Sequence, residues 1–299
     1  MDVVGNGDTS SARVVIKDMV KDTLKDNKRH GSGLLPLPKD DRDFKLGAII
    51  SLPNIKDIPD TFDLGILPVK DQQESDFCTA YATCLASEFQ EKTSLYAPYS
   101  FALSKELSGD PEVWGQDLRT ACKAHEKYGA ITESEAPIMQ SIDELRFSGN
   151  YPPYLKEKAR IHKKQSYVSV TGQYESFDDI RASMWRYREQ RKAVVFGVIW
   201  NWNLTDYILG EKEGSGFGHA ICAVGWEKDY LIIQNSYGVG AGKLGRHKLH
   251  QTAVNDFVEN YGAYMFTDFP PEYGVVAMEN SRFARGRFWK KIGMFLQRI

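Results

Sequence analysis

Apolar positions change their spacing about halfway along the chain. Residues 11–28, SARVVIKDMVKDTLKDNK, place Val15, Met19 and Leu24 at roughly helical intervals, with Ile16 and Val20 beside them and Asp and Lys on the remaining face. Lys17, Lys21 and Lys25 form one i,i+4 row, and Asp18, Asp22 and Asp26 form the next. Contacts at i,i+3 between the rows offset the repulsion within them. The pattern predicts an amphipathic helix whose narrow apolar stripe has to dock on something. Residues 31–59 interrupt it with Pro36, Pro38, Pro53 and Pro59, and predict an extended connector. Helical character resumes over 78–92, rich in Ala, and over 116–127, ending at Gly129. Beyond residue 166 the runs shorten into strands at 166–170, 193–199, 219–226 and 230–234, with 243–249 and 264–267 added. A helix over 177–188 is predicted among them, with Ser176 as its N-cap. Helices first and strands second predict an α+β protein with two lobes. No internal repeat is visible.

Composition narrows the class. With 299 residues, 42% hydrophobic and 26% charged, the chain is neither largely disordered, nor collagen-like, nor a minimal disulfide scaffold. Lys and Arg number 38 against 40 Asp and Glu, so nucleic acid is not the expected partner. The longest apolar run, residues 193–200, falls far short of the roughly 20 needed to span a bilayer. The N-terminus lacks the pattern of a secretory signal. With four cysteines, these features predict free thiols and an intracellular, cytoplasmic location, with a virion or host cell left open. Cys78 and Cys84 have no CxxC or HxxxH near them, so no zinc, and no other metal or organic cofactor, is expected. The near-zero net charge hides an asymmetry. Residues 279–299 carry Arg282, Arg285, Arg287, Lys290, Lys291 and Arg298 against Glu279, leaving the body at −7 within the −2 total. With the aromatic and aliphatic residues between these charges, the tail reads either as a helix folded back on its own acidic body or as a contact for an anionic membrane surface or a protein partner.

Three segments carry reactive residues: PVKDQQESDFCTAYATCLASE at 68–88, GFGHAICAVGW at 216–226 and LIIQNSYGVGAG at 231–242. Cys78 opens a predicted helix, where the positive end of the dipole lowers a thiol pKa and favours the nucleophilic thiolate. His219 opens a strand behind glycines and can serve as the acid–base group. Asn235 ends the next strand and can orient the imidazole. Gln72, six residues before Cys78, can join the Cys78 N–H in an oxyanion hole; only the offset separates it from Gln73. Cys84, Cys122 and Cys222 read as buried small apolar residues. His30, His125, His162, His247 and His250 have no such context and read as surface residues.

These segments resemble the signature blocks of papain-like cysteine peptidases. Gln72 matches the oxyanion glutamine. Cys78-Thr79-Ala80-Tyr81-Ala82 resembles Cys-Trp-Ala-Phe-Ser. His219-Ala220 with Val224-Gly225-Trp226 resembles the His-Ala-Val block, and Asn235-Ser236-Tyr237-Gly238 resembles Asn-Ser-Trp-Gly. Cys78 and His219 are 141 residues apart, within the roughly 130–150 of that family, while Asn235 lies 157 from Cys78, slightly beyond it. The resemblance implies an α+β, two-lobed papain-like fold with a helical N-terminal lobe and an antiparallel β-barrel-like C-terminal lobe. It implies three regions: an N-terminal extension over 1–57, a peptidase domain over 58–270 and the basic tail over 271–299. It also implies a cysteine endopeptidase that acts on polypeptide through a thioester, with Cys78, His219, Asn235 and Gln72 as its catalytic set.

The sequence departs from the family pattern in several places. Ser75 stands where the first-lobe disulfide would need a cysteine, in keeping with a reducing compartment. Thr79 and Tyr237 replace aromatic indoles, and Gly218 precedes the histidine. The glycine strip that binds substrate is best matched by Trp114-Gly115, so Trp114, Gly115, Gly218 and Tyr237 are the expected substrate-binding residues. The extension reads either as a packed decoration or as a propeptide whose extended part, about 34–53, lies along the cleft. An isopeptidase or transamidase on the same residues, and an inert binding module, are the alternative functions.

Overall fold

The computed structural model describes residues 31–37, 43, 45–139, 141–200, 208–209 and 217–267. The helix expected over 11–28 and the basic tail over 279–299 lie outside the described residues. The first lobe is built on α1 (Leu46–Ile49), α2 (Cys78–Glu91), α3 (Ala97–Ser108), α4 (Leu118–Lys127), α5 (Ile142–Arg146) and α6 (Tyr154–Ala159). The second carries α7 (Ser176–Arg186) and α8 (Gln251–Tyr261) on a sheet of eight strands. Those strands are β1 (Thr61–Asp63), β2 (Ser166–Ser169), β3 (Val194–Trp200), β4 (Ile208–Leu209), β5 (Phe217–Glu227), β6 (Tyr230–Gln234), β7 (Arg246–His250) and β8 (Ala263–Thr267).

Helix α2 is buried almost all round, because both lobes pack on it. Ala82, Leu85, Ala86 and Phe89 join the large cluster that contains Phe196, Val198, Ile221 and Ala223 of the sheet. Phe77, Ala80 and Cys84 on the other side meet Phe101 of α3. Small residues let the two layers close on one helix. The connector also enters this core: Leu34, Leu46, Ile49 and Leu52 are buried in the larger cluster. Its middle is therefore helical at α1, where an extended chain was expected.

The sheet runs β2-β8-β3-β5-β6-β7-β4, with β1 added to β5. All pairings are antiparallel except β4 on β7. The path does not return on itself, so the lobe is an open sheet and not a closed barrel. Strand β5 is its organising element, paired with β1, β3 and β6.

Four local expectations change. Helix α3 was not expected, although Pro98 in its first turn and Gly109 at its C-cap are the usual punctuation of a helix. Ser, Tyr and Phe between them weaken its propensity. Helix α8 was likewise not expected; it is capped by the His250 side chain, which accepts from Thr252 N–H. Helix α7 begins at Ser176, with Glu175 as N-cap, because Phe177 N–H is held at 2.8 Å by Asn255 Oδ1 of α8. His125 and His247 are buried, not exposed: His125 packs on Phe266, and His247 meets the Trp200 ring edge-on. Among the described residues no helix is long and apolar enough to cross a membrane.

Since Phe89 is fully buried between the lobes, Phe89→Ala is expected to cost about 3–5 kcal/mol of stability. Chemical denaturation of the two proteins measures this.

Candidate active site

Cys78 is the first residue of α2. Its position is set by the preceding Phe77, whose ring packs 4.3 Å from that of Phe101. The backbones of Ala220, Gly33 and Thr79 hydrogen-bond to the sulfur and favour the thiolate, but burial outweighs them and pushes the thiol up to about 12. The helix dipole was expected to lower this pKa; exclusion of water reverses the sign.

Strand β5 brings Ala220, the residue after His219, against the sulfur. His219 lies opposite Val198, and its neighbour Ala220 contributes to the hydrogen bonds on Cys78. The pairing of Cys222 with Gln234 puts Asn235 one step past the β5–β6 ladder, on the face and diagonal of His219. His219 Nε2 and Asn235 Oδ1 are 2.8 Å apart. That oxygen also accepts the Ser236 N–H at 2.7 Å, which fixes it as an acceptor. Nε2 therefore carries the hydrogen and Nδ1 is the basic nitrogen. The imidazole stacks on Tyr237, 4.5 Å between centroids, and meets Trp200 edge-on. The Tyr237 hydroxyl lies 3.1 Å from Nδ1.

Gln72 is buried, whereas Gln73 is exposed and has a positive φ. The Gln72 amide is oriented by Ser236 Oγ, which donates to its Oε1 at 2.6 Å. Its Nε2 donates to Gly31 O at 2.9 Å and Ser75 O at 2.8 Å. Geometry thus selects Gln72 over its neighbour.

What covers the sulfur is the chain itself. Residues 31–35, Gly-Ser-Gly-Leu-Leu, lie across the N-terminus of α2. Gly31 N–H donates to Gln73 O at 2.7 Å, and Ser32 O accepts from Trp114 Nε1 at 2.6 Å. Gly33 O accepts from Gln116 N–H at 2.7 Å, and Leu35 N–H donates to Gln116 O at 3.1 Å. Leu34 N–H donates to Gly218 O at 3.1 Å. The segment therefore runs parallel to the chain at Gln116. The sulfur meets the backbone hydrogen-bonding group of Gly33. Glycine is required at both crossing points: a Cβ on Gly31 would stand 2.0 Å from Ser75 O, and one on Gly33 2.0 Å from Asp76 O. The Leu34 side chain is buried between the lobes, so close to Gly197 that a Cβ there would overlap it.

No family model and no curated protein matches the sequence. Solved structures do match. Xylellain, a cysteine protease from Xylella fastidiosa, superposes with a TM-score of 0.68 at 19% identity, over 82% of this chain and 98% of that one. Digestive procathepsin L 3 from the larval midgut of Tenebrio molitor gives 0.55 at 16% identity, over 85% and 88%. The Carica candamarcensis cysteine protease CMS1MS2, in complex with E-64, gives 0.51 at 19% identity, over 70% and 98%.

The chain has the papain-like fold.

Within this papain-like fold the four residues expected from the sequence converge on one place between the lobes. The four expected substrate-binding residues are also there, in different roles. Trp114 holds Ser32 O through its indole N–H. Gly218 presents its carbonyl to Leu34. Tyr237 shields His219, and its hydroxyl lies 3.4 Å from Gly31 O. Gly115 turns its N–H away, to the Asp76 carboxylate. The residue that pairs with extended chain is Gln116, which the sequence pattern does not single out because only its backbone N–H and carbonyl take part. The covering segment is 31–35, not 34–53; the chain passes on to α1 and the core. Two glycines spaced one residue apart are the available signal, and in a sequence they look like linker punctuation.

Because neither glycine has room for a side chain, Gly33→Val is expected to unseat the segment. Iodoacetamide should then alkylate Cys78 roughly tenfold faster or more than in the parent chain, since exchange through a rare open state is replaced by direct access. Peptide mapping of the alkylated protein checks the position.

Proposed function

We propose that the chain is a papain-like cysteine endopeptidase held latent by its own residues 31–35. The observation that carries this reading is that the cleft above Cys78 already binds a stretch of polypeptide through backbone hydrogen bonds to Gln116 and Gly218. Such contacts use only backbone groups of the bound chain and are what a polypeptide substrate needs. Cys78 then attacks the scissile carbonyl and forms a thioester. His219 takes the thiol proton on Nδ1 and returns it to the leaving amine, while Asn235 holds the ring and Gln72 stabilises the oxyanion. Water hydrolyses the thioester by the reverse relay. An isopeptidase differs only in the amine it releases.

In the covered state the chemistry is off for two separate reasons. The thiol is almost wholly protonated at neutral pH, because burial holds it at about 12. Both donors of the Gln72 amide are also engaged, one of them by Gly31 O. Displacing the segment frees that donor and readmits water to the sulfur. The proform named among the similar structures fits this latency. The inert-module reading draws on the same sealed sulfur.

In a full-length chain carrying Gly33→Val, peptide hydrolysis is expected. Cys78→Ala should abolish it, and Gln72→Ala should lower kcat by about 10²–10³. Hydrolysis by the Cys78→Ala control, or none by the uncovered chain, would sink the peptidase reading. The pH dependence of alkylation gives a second check. A raised thiol pKa means that thiolate accumulates only at high pH, so the covered chain should label ever faster to beyond pH 10. The Gly33→Val chain should level off at lower pH; superimposable profiles would mean that the segment does not control the thiol.

A further inference from the structure

The loop that carries Cys78 is tied to the strip that holds the peptide, and the tie is ionic. Asp76 lies two residues before Cys78 and is fully buried; Arg146, at the end of α5, is 5% exposed. The guanidinium grips both carboxylate oxygens, Nη1 to Oδ2 and Nη2 to Oδ1, each at 2.8 Å. Oδ2 also accepts the Gly115 N–H. On the other side of the same residue, Lys105 Nζ donates to Gly115 O at 2.5 Å. The guanidinium lies 5.0 Å from the Trp114 ring centroid and 5.9 Å from that of Phe101. Gln116 Nε2 reaches Ser104 O on α3. Both backbone polar groups of Gly115 are thus fixed by buried charges, and its two neighbours are the residues that bond the covering segment. All four cysteines are free, so no disulfide makes this link.

We propose that Arg146 and Asp76 are positioning residues for peptide binding: their bidentate pair sets the 114–116 strip at the spacing from Cys78 that lets a polypeptide bond to Gln116 while it crosses the sulfur. The inference rests on the peptidase reading for its substrate, and it extends that reading to residues outside the reacting set. A buried ion pair is no more stabilising than a well-packed apolar pair of the same volume. What an apolar pair cannot supply is an acceptor for the Gly115 N–H and a flat cation beneath Trp114. A lysine cannot supply the fork either.

The test uses the full-length Gly33→Val chain, with and without Arg146→Met. Methionine keeps much of the side-chain bulk, and the Asp76 left behind can take a proton, since burial already raises its carboxyl. Three quantities are measured: binding of a labelled peptide with the sequence of residues 31–37, kcat and KM on peptide substrates, and the rate of Cys78 alkylation by iodoacetamide, which needs no strip. Arg146→Met should weaken peptide binding and raise KM by about tenfold, leave kcat within about twofold, and leave alkylation unchanged. Arg146→Lys should fall nearer the methionine variant than the parent, and it carries the same comparison if Arg146→Met does not fold. Unchanged peptide affinity in a folded variant would overturn the proposal. So would a parallel fall in affinity, kcat and alkylation, which marks general loss of structure. If no version cleaves peptides, the peptidase reading fails, while the affinity comparison still decides the role of the strip.

Discussion

One helix has no free side, and the site follows from that. Helix α2 is gripped by the sheet through Ala82, Leu85 and Phe89 and by α3 through Phe77, Ala80 and Cys84. Its N-terminus therefore cannot drift relative to either lobe. Cys78 is delivered to the seam, where β5 can present Ala220 and His219 from one side and the 114–116 strip can face it from the other. A helix with one buried face would leave the sulfur tied to a single lobe, and its distance from the imidazole would vary with every movement between the two.

The same seam sets two electrostatic influences against each other. A helix N-terminus favours a thiolate by a modest amount, typically up to about 2 kcal/mol where partly buried. Removing a charge from water costs several kcal/mol. With residues 31–35 in place, desolvation wins, and the thiol stays protonated despite the backbone groups that surround it. Latency on this reading needs no distortion of Cys78, His219, Asn235 or Gln72. It needs only that a peptide with no side chains at two positions fill the space that water would take.

Much of this was legible in the sequence, and the limits are physical. Cys78 and Asn235 stand out at the ends of predicted elements, His219 behind glycines at the start of a predicted strand, and Gln72 by its offset from Cys78, all at spacings that resemble one family's. Strands β3, β5 and β6 stand out because buried strands are dense in apolar residues. Helices α3 and α8 escape because their propensities are weak and tertiary contacts decide them. The role of Gln116 escapes because only its backbone acts, and any residue has a backbone. The openness of the sheet depends on how its last strands pair, which no single strand's pattern encodes. The buried histidines are misplaced because an aromatic neighbour such as Trp200 or Phe266 is distant in sequence.

The covering segment and the strip also constrain each other. A Cβ on Gly115 would meet Gly33 O at 2.2 Å, and Gly115 has a φ of +80°. The two glycines thus lie against each other, and both stand against the loop before Cys78. Side chains could be accommodated only by widening the cleft, which would draw Gln116 away from the peptide backbone it bonds. Asp76 opposes that widening from within: its carboxylate accepts the Gly115 N–H while Arg146 closes its remaining valences. The strip bonds only backbone, so its hydrogen bonds do not read side chains, but the seated chain still has to lack them at positions 31 and 33. Discrimination among peptides then falls to pockets such as the one Leu34 fills, where the absence of a side chain at Gly197 sets the depth.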